Sequence, residues 1–82
     1  MIIREIAVYS RVNDNHIESY EIDLSVDELI TILNVDIDKD PNVYMIYEIN
    51  ETQYSLFLNL IPSLKVFDLE NVELFYECFQ SK

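Results

Sequence analysis

Glycine and tryptophan are missing from this chain of 82 residues, and it has only two prolines and one cysteine. Without glycine, neither the P-loop nor the dinucleotide fingerprint can form, because both bring backbone against phosphate where a Cβ would intrude. Nucleotide enzymes of the common kinds are therefore excluded. The single cysteine, Cys78, can form no intramolecular disulfide. Small secreted domains rely on such staples, so a reducing, cytoplasmic compartment is expected. Cations are scarce too: five Lys and Arg stand against sixteen Asp and Glu, a formal net charge of -11. Affinity for phosphates comes from clustered Lys and Arg, so no direct nucleic-acid or membrane partner is expected. No apolar run approaches the roughly 20 residues that span a bilayer, and Met1-Ile2-Ile3-Arg4-Glu5 lacks the basic-then-apolar pattern of an export signal.

What is present is a globular composition. Hydrophobic residues make up 50% of the chain and charged ones 26%, well away from the disordered class. The length allows one domain, residues 1–82, that buries roughly 60 to 65% of its unfolded surface and so has a thin stability margin. The charge of -11 exceeds the magnitude of about 2 to 8 that keeps a small domain soluble. A basic protein is the natural partner of such an excess.

Hydrophobic spacing sets out the elements. Ile2, Ile6, Val8 and Val12 fall on even positions, with Glu5, Tyr9 and Arg11 on odd ones, which predicts a half-buried strand over 2–12. Asn13-Asp14-Asn15-His16 is a run of turn formers, and Tyr20, Ile22 and Leu24 alternate with Ser19, Glu21 and Asp23 after it, completing a hairpin. Ser25-Val26-Asp27-Glu28 has capping-box spacing and opens a helix to about Asn34 with a stripe of Val26, Leu29, Ile30 and Leu33. Residues 35–41 are expected as a loop. Residues 43–49, apolar on both parities, predict a third, central strand. Asn50-Glu51-Thr52-Gln53 repeats the cap before a short helix that Pro62 stops. In the last strand, 72–79, Val72, Leu74, Tyr76 and Cys78 share one face. The order β-β-α-β-α-β predicts an α+β two-layer sandwich, a mainly antiparallel four-stranded sheet with two short helices on one face.

Few residues have the pattern that chemistry needs. Asp36-x-Asp38-x-Asp40 matches the first three ligand positions of a calcium-binding loop, but Pro41 and Tyr47 stand where that loop needs Gly and Glu, so a solvated acidic loop is expected and no metal. His16 lies in a turn with no nucleophile placed beside it, and Cys78 lies on core parity as a small hydrophobe. Glu73 with Glu77, or Glu21 with Asp23, shows no cleft that would separate two carboxyl pKa values. No catalytic residue, cofactor or metal is expected, and no enzyme. The remaining feature is the uncovered sheet face, where parity places Glu5, Tyr9, Glu21, Asp23, Tyr44, Glu48, Glu73, Phe75 and Glu77. Its bland reading is a polar face with spare aromatics. Its sharper reading is a partner-binding surface in which aromatics anchor and carboxylates steer a cationic protein. Tyr9, Glu21, Asp23, Tyr44, Glu48, Glu73, Phe75 and Glu77 are the candidate contacts, with the 36–40 loop as the other place where contact could form.

In layout the chain resembles the small acidic immunity proteins that bacteria make against their own colicins and contact-dependent growth inhibition toxins. The likeness lies in the opening Ile2-Ile3-Arg4-Glu5-Ile6, in Tyr44 through Asn50-Glu51-Thr52-Gln53, and in the acidic, aromatic Glu73-Leu74-Phe75-Tyr76-Glu77. That resemblance implies a cytoplasmic inhibitor of a cognate basic toxin domain, a nuclease, whose active site or nearby exosite it covers with carboxylates standing where substrate phosphates would lie. Many such inhibitors carry tryptophan; here tyrosine and phenylalanine would be the anchors. The alternative is an acidic regulatory adaptor or nucleic-acid mimic that occupies a nucleic-acid-binding protein of the host. A self-assembling piece, paired through an exposed edge strand with Phe75 and Phe79, is a further possibility.

Overall fold

Alternation of period two and capping boxes produce six elements in the computed structural model, which describes residues 1–81. They are β1 (Ile2–Ser10), β2 (His16–Glu21), α1 (Val26–Leu33), β3 (Tyr47–Ile49), α2 (Glu51–Leu60) and β4 (Val72–Gln80). The sheet is wholly antiparallel, in the order β2-β1-β4-β3. It is the expected α+β sandwich. β1 and β4 pair along their full lengths, from Ile2 opposite Gln80 to Ser10 opposite Val72. Ile6 and Val8 of β1 and Val72, Leu74 and Tyr76 of β4, all even positions, join Ile22, Ile49 and Leu29, Ile32, Leu33, Tyr54 and Phe57 of the helices in one hydrophobic core.

Both caps form as their sequences require. Ser25 Oγ accepts from the Glu28 amide while Glu28 Oε1 accepts from the Ser25 amide, each at 3.1 Å. Asn50 and Gln53 do the same at 2.8 and 2.9 Å. Each pair satisfies two amides that a helix start leaves orphaned. α1 ends at Asn34 in the left-handed region, φ 54, where a short polar side chain is tolerated in place of glycine. The 61–71 connector is tied down by Tyr54, whose hydroxyl donates to the Lys65 carbonyl at 2.6 Å and accepts from the Phe67 amide at 2.7 Å.

The structure departs from the sequence reading at the first hairpin and at the third strand. β1 stops at Ser10, and Val12 is 87% exposed in the turn. A bulge between Val8 and Tyr9 then sets Tyr9 opposite His16, so His16 opens β2 instead of sitting in the turn. The third strand is not central and does not span 43–49: β3 is a three-residue edge strand. Apolarity on both parities there has another cause, since Val43 is buried under the helix layer whereas Tyr44, Met45 and Ile46 face outward.

A buried carboxylate explains the shortening. Asp40 accepts from the Tyr44 amide at 2.9 Å, the Met45 amide at 3.1 Å and the Tyr47 hydroxyl at 2.7 Å. A longer strand would point these successive amides to opposite sides, that of Met45 towards β4 and that of Tyr44 away from it; here one side chain captures both. Val43 just before them has φ 55, unusual for a β-branched residue and costing on the order of 1–3 kcal/mol. Its carbonyl is gripped by Arg4 Nη1 at 2.9 Å and the Tyr76 hydroxyl at 2.7 Å, and Arg4 also donates to Tyr76 Oη at 2.6 Å. Burial pushes Asp40 up, but the Tyr44 and Met45 amides, the Tyr47 hydroxyl and the Arg4 charge together hold its carboxyl below the usual value. Burial and the bond to Asp40 push the Tyr47 phenol up to about 12.

Asp40→Asn retains acceptor capacity for only part of this set and should lower unfolding stability by about 1–3 kcal/mol in urea titration at pH 7. Because the folded carboxyl is depressed, its stabilisation is present above the unfolded value of about 4 and lost as pH falls through the lower folded one. The gap between wild type and variant should accordingly narrow below pH ~4; a gap that stays constant would assign the loss to packing.

Candidate functional site

The face of the sheet away from the helices is built by odd positions of β1 and β4. Register brings Glu21, Glu5 and Glu77 into one rank across β2, β1 and β4. Neighbouring strands lie about 4.8 Å apart, so these carboxylates share a narrow strip, an arrangement that destabilises a sheet when uncompensated. The next rank is Ser19, Ala7, Phe75 and Glu48, and the third is His16, Tyr9 and Glu73. Ala7, fully buried, leaves room for the larger rings beside it.

Those rings form a cluster. Tyr9 meets Phe75 edge-on at 5.7 Å between centroids and His16 at 5.4 Å. The Tyr9 hydroxyl donates to Glu77 Oε2 at 2.8 Å, and this bond, with burial and the charges of Glu77 and Glu5, raises the phenol's pKa. His16 Nε2 is hydrogen-bonded to Ser19 Oγ at 2.7 Å. A shallow hollow of about 300 Å³ lies over the cluster, lined by Tyr9, Asp14, Ile46, Glu73, Phe75 and Glu77. It has an apolar floor and a carboxylate rim. Arg11 is the cation at its margin, paired with Glu73 at 3.1 Å and donating through Nε to the Leu69 carbonyl at 2.7 Å. That ion pair is solvent-exposed and contributes roughly 0–1 kcal/mol.

Tyr9, Glu21, Glu48, Glu73, Phe75 and Glu77 are gathered on this face. Tyr44 is not. Asp23 lies just beyond the end of β2, around a hollow it shares with Glu21, Arg4, Met1, Ile2 and Leu24. Tyr44 lies in the loop before β3, on the helix side, its ring under the Arg4 guanidinium at 5.7 Å. Strand parity carried it to the wrong face because the strand there is absent. His16 and Ile46 were missed: the bulge delivers the first and the 43–46 bend the second, and neither leaves a local sequence signal. Glu5, at the centre of the carboxylate rank, was visible from parity.

In the acidic loop, Asp36 Oδ1 accepts from the Asp38 amide at 3.0 Å while Asp40 is turned inward. Among the described residues no group of three or more His, Cys, Asp or Glu is placed to hold a metal ion. Cys78 is half-buried against the core, and β4 lies between β1 and β3, so the strand bearing Phe75 and Phe79 is not a sheet edge along its whole length. No helix is long and apolar enough to cross a membrane among the described residues.

Fold and site define a small α+β domain that offers an uncovered acidic and aromatic sheet face. Residues 3–77 match the sequence model of a family described as Domain of unknown function (DUF7683), and the chain belongs to that family. No curated protein and no solved structure matches it.

Replacing the central carboxylate, Glu5→Lys, should relieve repulsion from both neighbours and raise stability by about 0.5–1 kcal/mol at low salt. Thermal melts at low and high salt would check this. A gain that persists unscreened at 1 M salt, where the Debye length is about 3 Å, would show that repulsion across the rank is not its source.

Proposed function

We propose that this protein is a cytoplasmic immunity protein that binds and neutralises a cognate basic toxin domain, a nuclease, through its acidic aromatic face. The observation that carries the reading is the rank Glu21, Glu5 and Glu77 beside the Tyr9–Phe75 ring pair. A folded chain with a thin margin maintains like charges in register there, at a cost to its own stability. A cationic partner surface removes that cost. Aromatic rings give such a complex desolvated anchors, and the surrounding carboxylates pair with Arg and Lys and accelerate encounter. The formal net charge of -11 also complements a protein evolved to grip phosphates, which is necessarily basic. On this reading the chain does no chemistry of its own.

Co-expression with the polypeptide encoded immediately beside this chain tests the reading by co-purification and rescue of growth. A stoichiometric, salt-sensitive complex with a toxic basic neighbour is the expected result; neither complex nor toxicity would turn the case towards the regulatory adaptor. Glu73→Lys with Glu77→Lys should weaken the complex at least 10-fold, about 1.4 kcal/mol or more, with the circular dichroism unchanged. Undiminished protection by that double variant would move the contact off this face.

A further inference from the structure

The backbone of β4 has an uncovered stretch. Ile22 N donates to the Arg4 carbonyl at 2.9 Å, so the main-chain groups of Arg4 face β2. Antiparallel ladders alternate, so Ile3 and Glu5 face β4 and bond their partners Phe79 and Glu77. Cys78 and Gln80 consequently direct their N–H and C=O groups to the opposite side, that of β3. There β3 pairs only with Leu74, Phe75 and Tyr76, and no described strand reaches Cys78 or Gln80.

The chain's own continuation is prevented from filling this edge. In the register of Tyr47 with Tyr76, a longer β3 would set Met45 opposite Cys78 and Val43 opposite Gln80. Instead the Met45 amide is bound by Asp40, and the Val43 carbonyl is held by Arg4 and Tyr76. A hollow of about 470 Å³ lies at the uncovered edge, lined by Ile2, Tyr44, Cys78, Phe79 and Gln80. Ile2 is 42% exposed, Tyr44 52% and Phe79 48%. Natural edges are blunted by lysine, proline or a bulge, and Cys78-Phe79-Gln80 has none of these.

We propose that an extended strand of the basic partner pairs with β4 at Cys78 and Gln80 and enlarges the sheet beside Tyr44. This rests on the immunity reading and gives it a backbone contact. Register defines the strand's chemistry. The residue opposite Phe79 shares the open face with Glu77 and is Lys or Arg; its neighbours, opposite Cys78 and Gln80, point towards Tyr44 and Ile2 and are apolar. Glu77, the end of the carboxylate rank, is next to this edge. A second copy of the chain would bring another -11 charge and another Glu77 to the same place, so charge selects a cationic strand over self-pairing.

Amide hydrogen exchange, followed by NMR in the free protein and in its complex with the co-expressed neighbouring polypeptide, tests this directly. In the free protein Cys78 and Gln80 should exchange fast while Glu77 and Phe79, bonded to β1, exchange slowly; in the complex all four should be protected. Gln80→Pro removes one edge donor without breaking a bond to β1 and should weaken the complex at least 10-fold with unchanged exchange in the rest of β4. A complex that forms with Cys78 and Gln80 still fast, and with Gln80→Pro binding as wild type, overturns the edge and leaves the immunity reading standing. Slow exchange at Cys78 in a free monomer overturns it as well. Protection accompanied by a dimer in sedimentation replaces the cationic strand with a second copy, and failure of the wild-type chain to bind the neighbour overturns both proposals together.

Discussion

Asp40 places a carboxylate where a strand would otherwise begin. By accepting the Tyr44 and Met45 amides and the Tyr47 hydroxyl, it bends the chain out of the sheet four residues before β3. Arg4 and Tyr76 hold the same bend from the core side through the Val43 carbonyl. These bonds hold Val43 at positive φ, a conformation it would not adopt alone. Three consequences follow: β3 is short, residues 44–46 show their apolar side chains to solvent, and the end of β4 has an uncovered edge.

The second constraint is electrostatic. A chain of this size has little stability to lose, yet its sheet aligns three glutamates across adjacent strands. Arg4 is held on the helix side by Tyr76 and Val43, and Arg11 is held at the margin by Glu73 and Leu69. Neither cation is placed within the rank. The aromatic hollow beside it supplies apolar area bordered by Asp14, Glu73 and Glu77. Charge and apolar anchor thus lie together, the combination that makes protein interfaces both fast to form and specific.

Local patterns were legible wherever local physics decides structure. Ser25 and Asn50 announced their helices because a capping box is a contact between residues three apart. The parity of Leu74, Tyr76 and Cys78 announced a buried face, and Glu73, Phe75 and Glu77 the open one. The 43–49 segment was misread because its hydrophobicity serves several surroundings: Val43 is in the core, Tyr44 lies on Arg4, and Ile46 lines the hollow over Phe75. Periodicity cannot separate such uses when no single period governs them. His16 was misplaced because a bulge adds one residue to β2 and so shifts everything before it relative to β1.

The sequence by itself determined composition-level properties: an acidic, glycine-free chain whose alternation and caps specify an α+β sandwich, since these depend on residue type and short spacing. Only the tertiary structure decided the strand order, the alignment of Glu21, Glu5 and Glu77, the inward turn of Asp40 and the open end of β4. Each of these joins residues distant in the chain, and what fixes them is register and competition for backbone hydrogen bonds, which no local pattern records.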